Sequence, residues 1–459
     1  MDLFPSEHGE AMLYHDAGKY GFVKIGVKYN GTMREEGFPV AELPERIKYV
    51  PKNRDSYLTQ AEFKRPRKCI TDFLRTQLSF LDLDVYNMLQ YKGRSPEELR
   101  DALLLHCSDN GIPLPSLIVF SGRGLYPKWF YDYPIPYGAL AKWKRVQNEL
   151  LTRLASFGPD RTKIHVGTIL RIENTVNTKS GEVARVIWVN EDHGKVARWD
   201  FDTLADELLP LSREQLKEMR RKREEAYSKK GGSTTDEERE TLRRAIEEAN
   251  RHNRQLAIDH LALGRLYDLE TIAKARFGPT GEVPEGERMN FMFVGAVCLS
   301  QIIKDPSQFY YELQTLYRKF APSLRWPEVQ SATSTIYRQT ARALAGEKVI
   351  FNGRTVDPRY RLTNLYLLWL LHVTPEIERR NVTIIGREER KRRQRERAER
   401  VRREDGVLDI KTYKLKRQED AEASGERAKA LRAEGKNIAD IARVLGKSVE
   451  TVRSYLYRE

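Results

Sequence analysis

The sequence predicts three successive parts: an α+β N-terminal domain, an all-α middle domain and a C-terminal helix-turn-helix. Three observations carry this. Strand-like and helix-like periodicities alternate through the first 210 residues, which argues for helices packed on a sheet. Between 236 and 385 nearly every window fits helical spacing, with breaks at glycine and proline. The last 36 residues read as short helices joined by a tight glycine turn. At 459 residues the chain is too long for one ordinary domain. The boundaries read as 1–210, a charged helix and linker at 211–235, the helical part at 236–385, a charged helical arm at 386–423, and 424–459. No repeat of solenoid period is visible.

Residues 18–29 are rich in β-branched and aromatic side chains and read as a strand, with Asn30-Gly31 as a turn signal. Residues 32–56 carry prolines and charges and read as loop with short extended pieces. The apolar spacing at Phe63, Ile70, Phe73, Leu74 and Leu78 predicts a helix over 59–78, leading into a strand at Phe80–Tyr86. A helix over 95–110 starts with Ser95 as N-cap and Pro96 at its first position. A strand at 116–120 ends in a glycine turn, followed by an aromatic and proline-rich loop to Tyr137 and a helix over 138–156. Extended pieces follow Asp160, with a strand at 183–189.

Eighty basic residues against 66 acidic give a net charge of +14, which favours a polyanionic partner, nucleic acid ahead of a membrane surface. Cys69, Cys107 and Cys298 are scattered, so neither a zinc cluster nor a disulfide framework is expected, and a reducing cytoplasmic setting fits. Residues Met1–His8 lack a basic region followed by an apolar run, so no signal peptide is expected. The longest apolar stretch, Leu365–Val373, is far short of the roughly 20 residues a membrane span needs, so no membrane partner is expected.

Phe80–Tyr86 is where chemistry is first suggested. On a strand Leu81, Leu83 and Val85 point to a core, while Asp82 and Asp84 share the other side. Two carboxylates held that close repel, and a hard divalent cation, magnesium or manganese, relieves the repulsion. A solvated strand end is the competing reading. Ser121-Gly122-Arg123-Gly124 follows a strand, where glycines admit close backbone approach and amides can face phosphate oxygens. Arg123 and Lys128 add cations suited to a triphosphate. Asp160 offers a third carboxylate, or only a turn residue after Gly158-Pro159. Arg171, Asn177 and Lys179 form a further polar run.

The charged stretch 386–405 is either a solvated helix held by Glu–Arg pairs or a basic arm along a phosphate backbone. In the tail, Ala439, Ile441, Ala442, Val444, Leu445, Val449, Val452 and Leu456 supply a small core. Lys447, Ser448, Glu450, Thr451, Arg453 and Ser454 would face a DNA major groove, unless the unit is a protein-interaction module.

The segments Phe80–Asp84, Ser121–Trp129 and Asp160 with Leu170–Gly181 resemble, in order and spacing, the three motifs of the archaeo-eukaryotic primase superfamily, above all the primase-like replication proteins of plasmids and other mobile elements. Gly286–Phe293 resembles the start of the helical domain that often follows such primases, and Tyr360–Arg393 a segment frequent in plasmid replication proteins. The resemblance implies a primase-polymerase-like catalytic domain that makes primers from nucleoside triphosphates on a single-stranded DNA template. Asp82, Asp84 and Asp160 would be ligands of two magnesium or manganese ions. Ser121, Arg123, Tyr126, Lys128, Arg171, Asn177 and Lys179 would surround the nucleotide. Double-stranded origin DNA would be the tail's partner, and a helicase is a further candidate. Two departures stand out. Tyr126 occupies the place where the family commonly has a triphosphate-binding histidine, and Glu173-Asn174 stands where many relatives have Pro-Gly, bringing an acidic residue near anionic phosphate. A non-catalytic origin-binding protein on a vestigial primase scaffold is the alternative these departures raise.

Overall fold

A two-residue Asn30-Gly31 turn, both residues at positive φ, closes a hairpin in which Tyr29 pairs with Thr32. Its strands are β1 (Phe22–Tyr29) and β2 (Thr32–Pro39), so the stretch expected as loop begins with a full strand. The structure is a computed structural model that describes residues 9–16, 18–209, 218, 221, 236–351, 353–404 and 410–457. The linker expected at 231–235, and nearly all of the charged helix before it, lie outside the described residues.

Seven more strands complete a nine-stranded sheet: β3 (Ser56–Thr59), β4 (Glu62–Phe63), β5 (Phe73–Phe80), β6 (Leu117–Phe120), β7 (Leu125–Pro136), β8 (Ile169–Arg171) and β9 (Arg185–Val189). Their order is β8-β3-β1-β4-β5-β7-β6-β9, with β2 on β1, and every pairing is antiparallel. The N-terminal region is therefore α+β.

Two expectations fail here for one reason. The helix predicted over 59–78 is instead β3, β4, a short 3-10 turn and β5. The loop predicted after Trp129 up to Tyr137 belongs, as far as Pro136, to β7, the partner of β5. The Trp129-Phe130-Tyr131 run is a strong strand former, and pairing with it overrides the helical spacing of the preceding stretch. Its prolines are tolerated because Pro134 lies in the irregularity between Thr76 and Leu78, and Pro136 ends the strand.

The helix Pro96–Asp109 opens with a capping box between Ser95 and Glu98. The helix Leu140–Arg153 packs its apolar face on the sheet. The Trp143 indole N–H donates to the Leu78 carbonyl at 2.9 Å, and the buried Gln147 amide bonds both the N–H and the carbonyl of Phe80, at 3.1 and 3.0 Å. Gln147 thereby satisfies the backbone groups of Phe80, the last residue of β5, two positions before Asp82. The strand expected at Phe80–Tyr86 thus stops at Phe80, but its alternation persists: Leu81, Leu83 and Val85 are buried, Asp82 and Asp84 half-buried.

Beyond 236 the chain is mainly helical, with Asp236–Phe277, Arg288–Ile302, Gln308–Phe320 and Trp326–Leu344 as the long members and one small hairpin, Val349–Phe351 with Arg354–Val356. These helices share a hydrophobic core with the sheet, and Met1–Ile384 forms one compact unit. Polar ties cross within it. The Tyr137 hydroxyl donates to the Leu263 carbonyl at 2.9 Å, and the Ile70 N–H to the buried Glu312 carboxylate at 3.1 Å. Burial pushes the Glu312 carboxyl up to about 8, opposed by that bond. Among the described residues no helix is long and apolar enough to cross a membrane.

Ile385–Glu459 is the second unit. The helix Arg387–Glu404 carries intrahelical pairs such as Arg392–Glu389 and Arg403–Glu399, at 2.8 and 2.7 Å. The helices Ile410–Ala433, Ile438–Leu445 and Val449–Tyr457 close on Ala428, Leu431, Ile441, Ala442 and Val452. Of the predicted core, Ala439, Val444 and Val449 are exposed instead, because Ala428 and Leu431 of the first helix fill the interior. Asn437 caps the second helix and Ser448 accepts from the Thr451 N–H at the start of the third, after a turn with Gly446 at φ 60°. Lys447, Ser448, Arg453 and Ser454 are exposed and Thr451 half-exposed.

Candidate active site

Backbone bonds bring the three carboxylate-bearing positions together. Leu83 exchanges N–H···O bonds with Leu125, at 2.9 and 3.1 Å, which lays the Asp82–Asp84 segment beside the start of β7. On its other side the Asp84 N–H donates to the Gly158 carbonyl at 2.9 Å, and the Asp160 N–H donates to the Asp82 carbonyl at 2.8 Å. Glycine is needed for this contact: a Cβ on Gly124 would stand 2.3 Å from the Leu83 carbonyl oxygen. Gly122 has φ +92°, and a Cβ there would meet the Asn177 side chain at 2.5 Å.

One cavity of about 240 Å³ collects Asp82, Asp84, Asp160, Ser121, Arg123, Tyr126, Arg171, Asn177 and Lys179. Lys28, Asp55, Tyr57, Tyr86, Lys163 and Ile169 complete its wall. Ser121 shapes the turn: its hydroxyl bonds both the carbonyl and the N–H of Gly124 at 3.1 Å. Asn177 ties the third segment to the second by donating to the Ser121 carbonyl at 3.1 Å, and its own oxygen accepts from the Lys179 N–H. The Arg123 guanidinium lies 3.9 Å from the centre of the Tyr86 ring. Arg171 donates to Asp55 at 2.7 Å, to the Val176 carbonyl at 2.9 Å and to the Tyr57 hydroxyl at 3.2 Å.

The electrostatics are those of a crowded acidic floor under a basic rim. Burial pushes the Asp82 carboxyl up to about 7, with Asp84 and Asp160 adding to the rise and Lys163 and Arg171 opposing it. Asp84 is also raised, by burial and then by Asp160, against its bond to Tyr86. At Asp55 burial is outweighed by the bonds from Thr178 and Arg171, and its carboxyl lies below the usual range. Lys28, Lys163 and Lys179 form no ion pair among the described residues.

Two sequence expectations change. Lys128 is fully buried, and its ammonium pairs with Glu10 at 2.5 Å and lies over the Tyr14 ring; an N-terminal segment that covers this part of the sheet withdraws it from the cavity. Glu173 does not line this cavity either. Its carboxylate accepts from the Glu10 N–H at 3.0 Å and lines a separate cavity of about 410 Å³. Tyr126 lines the first cavity, and burial together with the nearby Asp82 charge keeps its phenol protonated, a neutral donor. Asp55, Tyr57, Tyr86, Lys28 and Lys163 were not singled out by the sequence. Tyr86, two residues after Asp84, and Lys163, three after Asp160, carried a local signal; Tyr57 reaches the site because it pairs with Arg171 across β3 and β8.

A divalent cation suits the donor chemistry, since burial first, then neighbouring carboxylates (Asp84 and Asp160 at Asp82, Asp160 at Asp84), disfavour the charged forms, and such an ion would stabilise them. Asp82 and Asp84 would hold it, with Asp160 on the same wall. The three do not converge as a ready ligand set: among the described residues no group of three His, Cys, Asp or Glu is arranged to hold a metal ion, and one Asp160 oxygen is engaged by Thr162, at 2.8 Å from its N–H and 2.7 Å from its hydroxyl.

Fold and cavity define a class: an α+β protein that gathers carboxylates and cations in one cavity. A curated replication protein of Clostridium perfringens is 30% identical over 131 residues, which are 28% of this chain and 31% of that protein. The match thus spans about a third of the relative's length. No protein-family profile matches the chain. Among solved structures, the AEP domain of the primase-polymerase of cyanophage S-2L aligns with a TM-score of 0.31 and 13% identity, over 42% of this chain and 90% of that one. The catalytic domain of primase RepB′, solved with initiator DNA, gives 0.28 and 15%, over 47% and 94%. The motif resemblance is to primase-like replication proteins, and the curated relative carries the name replication protein.

Proposed function

We propose that this chain is a replication protein of a plasmid or other mobile element whose α+β region is a primase or primase-polymerase. The observation that carries the reading is one cavity: segments around residues 82, 122, 160 and 175, far apart in sequence, meet there and bring carboxylates and cations together. Nucleotidyl transfer needs that combination, because charge builds on the phosphoryl oxygens while a hydroxyl attacks. Arg123, Arg171 and Lys179 would hold the triphosphate, Ser121 and Asn177 would keep the turns that present them, and Tyr126 would donate one neutral hydrogen bond. Asp82 and Asp84, with Asp160, would hold divalent ions, which would supply charge stabilisation and activation of the primer hydroxyl. Single-stranded DNA would be the template. The C-terminal unit would bind duplex origin DNA through Lys447, Ser448, Thr451, Arg453 and Ser454, a salt-sensitive contact because each phosphate contact releases counterions.

A non-catalytic origin-binding initiator is the second reading, favoured by the uncharged Tyr126 and by carboxylates that do not converge on three-ligand geometry. Primer synthesis separates the two. The full chain with magnesium or manganese, a single-stranded template and mixed nucleotides should make short oligonucleotides. Asp82→Ala and Asp84→Ala should each lower the rate on the order of 10³-fold with the fold intact. Wild-type protein that neither starts nor extends a primer with any metal would leave the second reading.

A further inference from the structure

We propose that Asp55 is a positioning residue of this site: it holds Arg171 and the Asn177–Lys179 turn in the arrangement that receives a triphosphate. This role rests on the nucleotidyl-transfer reading above. Asp55 lies just before β3, 116 positions ahead of Arg171, and is only 4% exposed. Both its carboxylate oxygens are in use. Oδ1 accepts from Arg171 Nη1 at 2.7 Å and from the Thr178 N–H at 3.0 Å, and Oδ2 accepts from the Thr178 hydroxyl at 2.6 Å. Around this tie the backbone is laced: the Val176 N–H donates to the Lys52 carbonyl at 2.8 Å, and the Ile172 N–H to the Ser56 carbonyl at 2.9 Å. Asp55 is the charged member of that lacing.

Physical reasoning favours such a counter-charge despite its neutralising part of Arg171. The guanidinium already feels the Asp82 carboxylate across the cavity. Freed from Asp55, it would be drawn toward the acidic floor and would compete there with any cation. Bound to Asp55, with Tyr57 below it at 5.0 Å, it stays on the opposite wall with its orientation fixed before the nucleotide arrives. The same carboxylate fixes Thr178, and so the backbone that carries Asn177 and Lys179.

The test uses full-length Asp55→Asn, which keeps shape and an acceptor but removes the charge. Equilibrium binding of a nucleoside triphosphate and of the matching monophosphate is measured with magnesium, together with primer-synthesis kinetics. The triphosphate should bind about tenfold more weakly, the size of one lost charge-assisted hydrogen bond, with the monophosphate little changed and KM moving more than kcat. In an Arg171→Ala background Asp55→Asn should add little to the loss. Thr178→Val, on an exposed turn, should show the same signature more weakly, and it carries the test if Asp55→Asn does not fold. Equal losses for both ligands, or full additivity with Arg171→Ala, would overturn the positioning role while leaving the enzyme reading in place. Wild-type protein that binds no triphosphate and makes no product would overturn the enzyme reading, and this role with it.

Discussion

The sheet cavity and the C-terminal unit both present charged side chains, but they hold them in opposite ways. In the cavity each functional position is fixed from several directions. Asp82 is set by Gln147 behind it, the Leu83–Leu125 bridge beside it and the Asp160 N–H on its own carbonyl. Arg171 has three named acceptors, one of them charged. In the tail, Lys447 in the turn and Arg453 on the last helix are exposed over a core of five buried residues, two of them alanines. The difference follows from the chemistry each would perform. Stabilising charge that develops on a phosphoryl group requires dipoles and charges already in place, so the site is built into a large core. Reading phosphates and base edges on a duplex requires exposed donors, and a small module suffices.

That contrast can be broken in order of expected effect. The tail is the more fragile part. Ile441→Ala removes one of its few large buried side chains, at a cost of about 2–5 kcal/mol, enough to unfold a core this small. Duplex binding, followed by salt-dependent titration of the full chain, should collapse while primer synthesis is retained; loss of both together would show that the two units do not work independently. Gly124→Ala is next. Its Cβ would collide with the Leu83 backbone and move the Asp82–Asp84 segment, so a destabilisation of about 1–3 kcal/mol in urea melts should accompany a larger fall in primer synthesis. A normal rate in a destabilised protein would mean that the segment tolerates displacement.

The smallest effect on primer synthesis is expected at the polar tie between sheet and helices, which is read instead in the pH dependence of stability. Glu312 has its folded pKa raised by burial, from the ordinary 4.5 to about 8. The native state therefore binds the extra proton between those values, and stability should fall as pH rises through that window and level off above about 8. Glu312→Gln retains an acceptor for the Ile70 N–H and should flatten the dependence of Tm on pH, with its largest gain at the alkaline end. An unchanged slope would place the pH dependence elsewhere.

Local chemistry was legible wherever one short stretch carries its own instruction. Asn30-Gly31 announced a hairpin turn, Ser95 with Glu98 a helix start, and Gly446 with Ser448 the break between two short helices. The motif order also pointed to residues that line one cavity, because glycine turns and paired carboxylates are recognisable without a partner. What the sequence could not supply is the identity of partners remote along the chain. The stretch before Phe80 has helical spacing and becomes strand where β1, β4 and β7 pair with it. Lys128 looks like a phosphate cation and is instead claimed by Glu10, 118 positions away. Asp55 carries no motif and gains its place only when β3 aligns with β8. Turns and caps are fixed by contacts within a few residues, which a linear reading sees. Pairing, burial and the sharing of counter-charges are decided by which distant segments meet, and only the folded chain settles that.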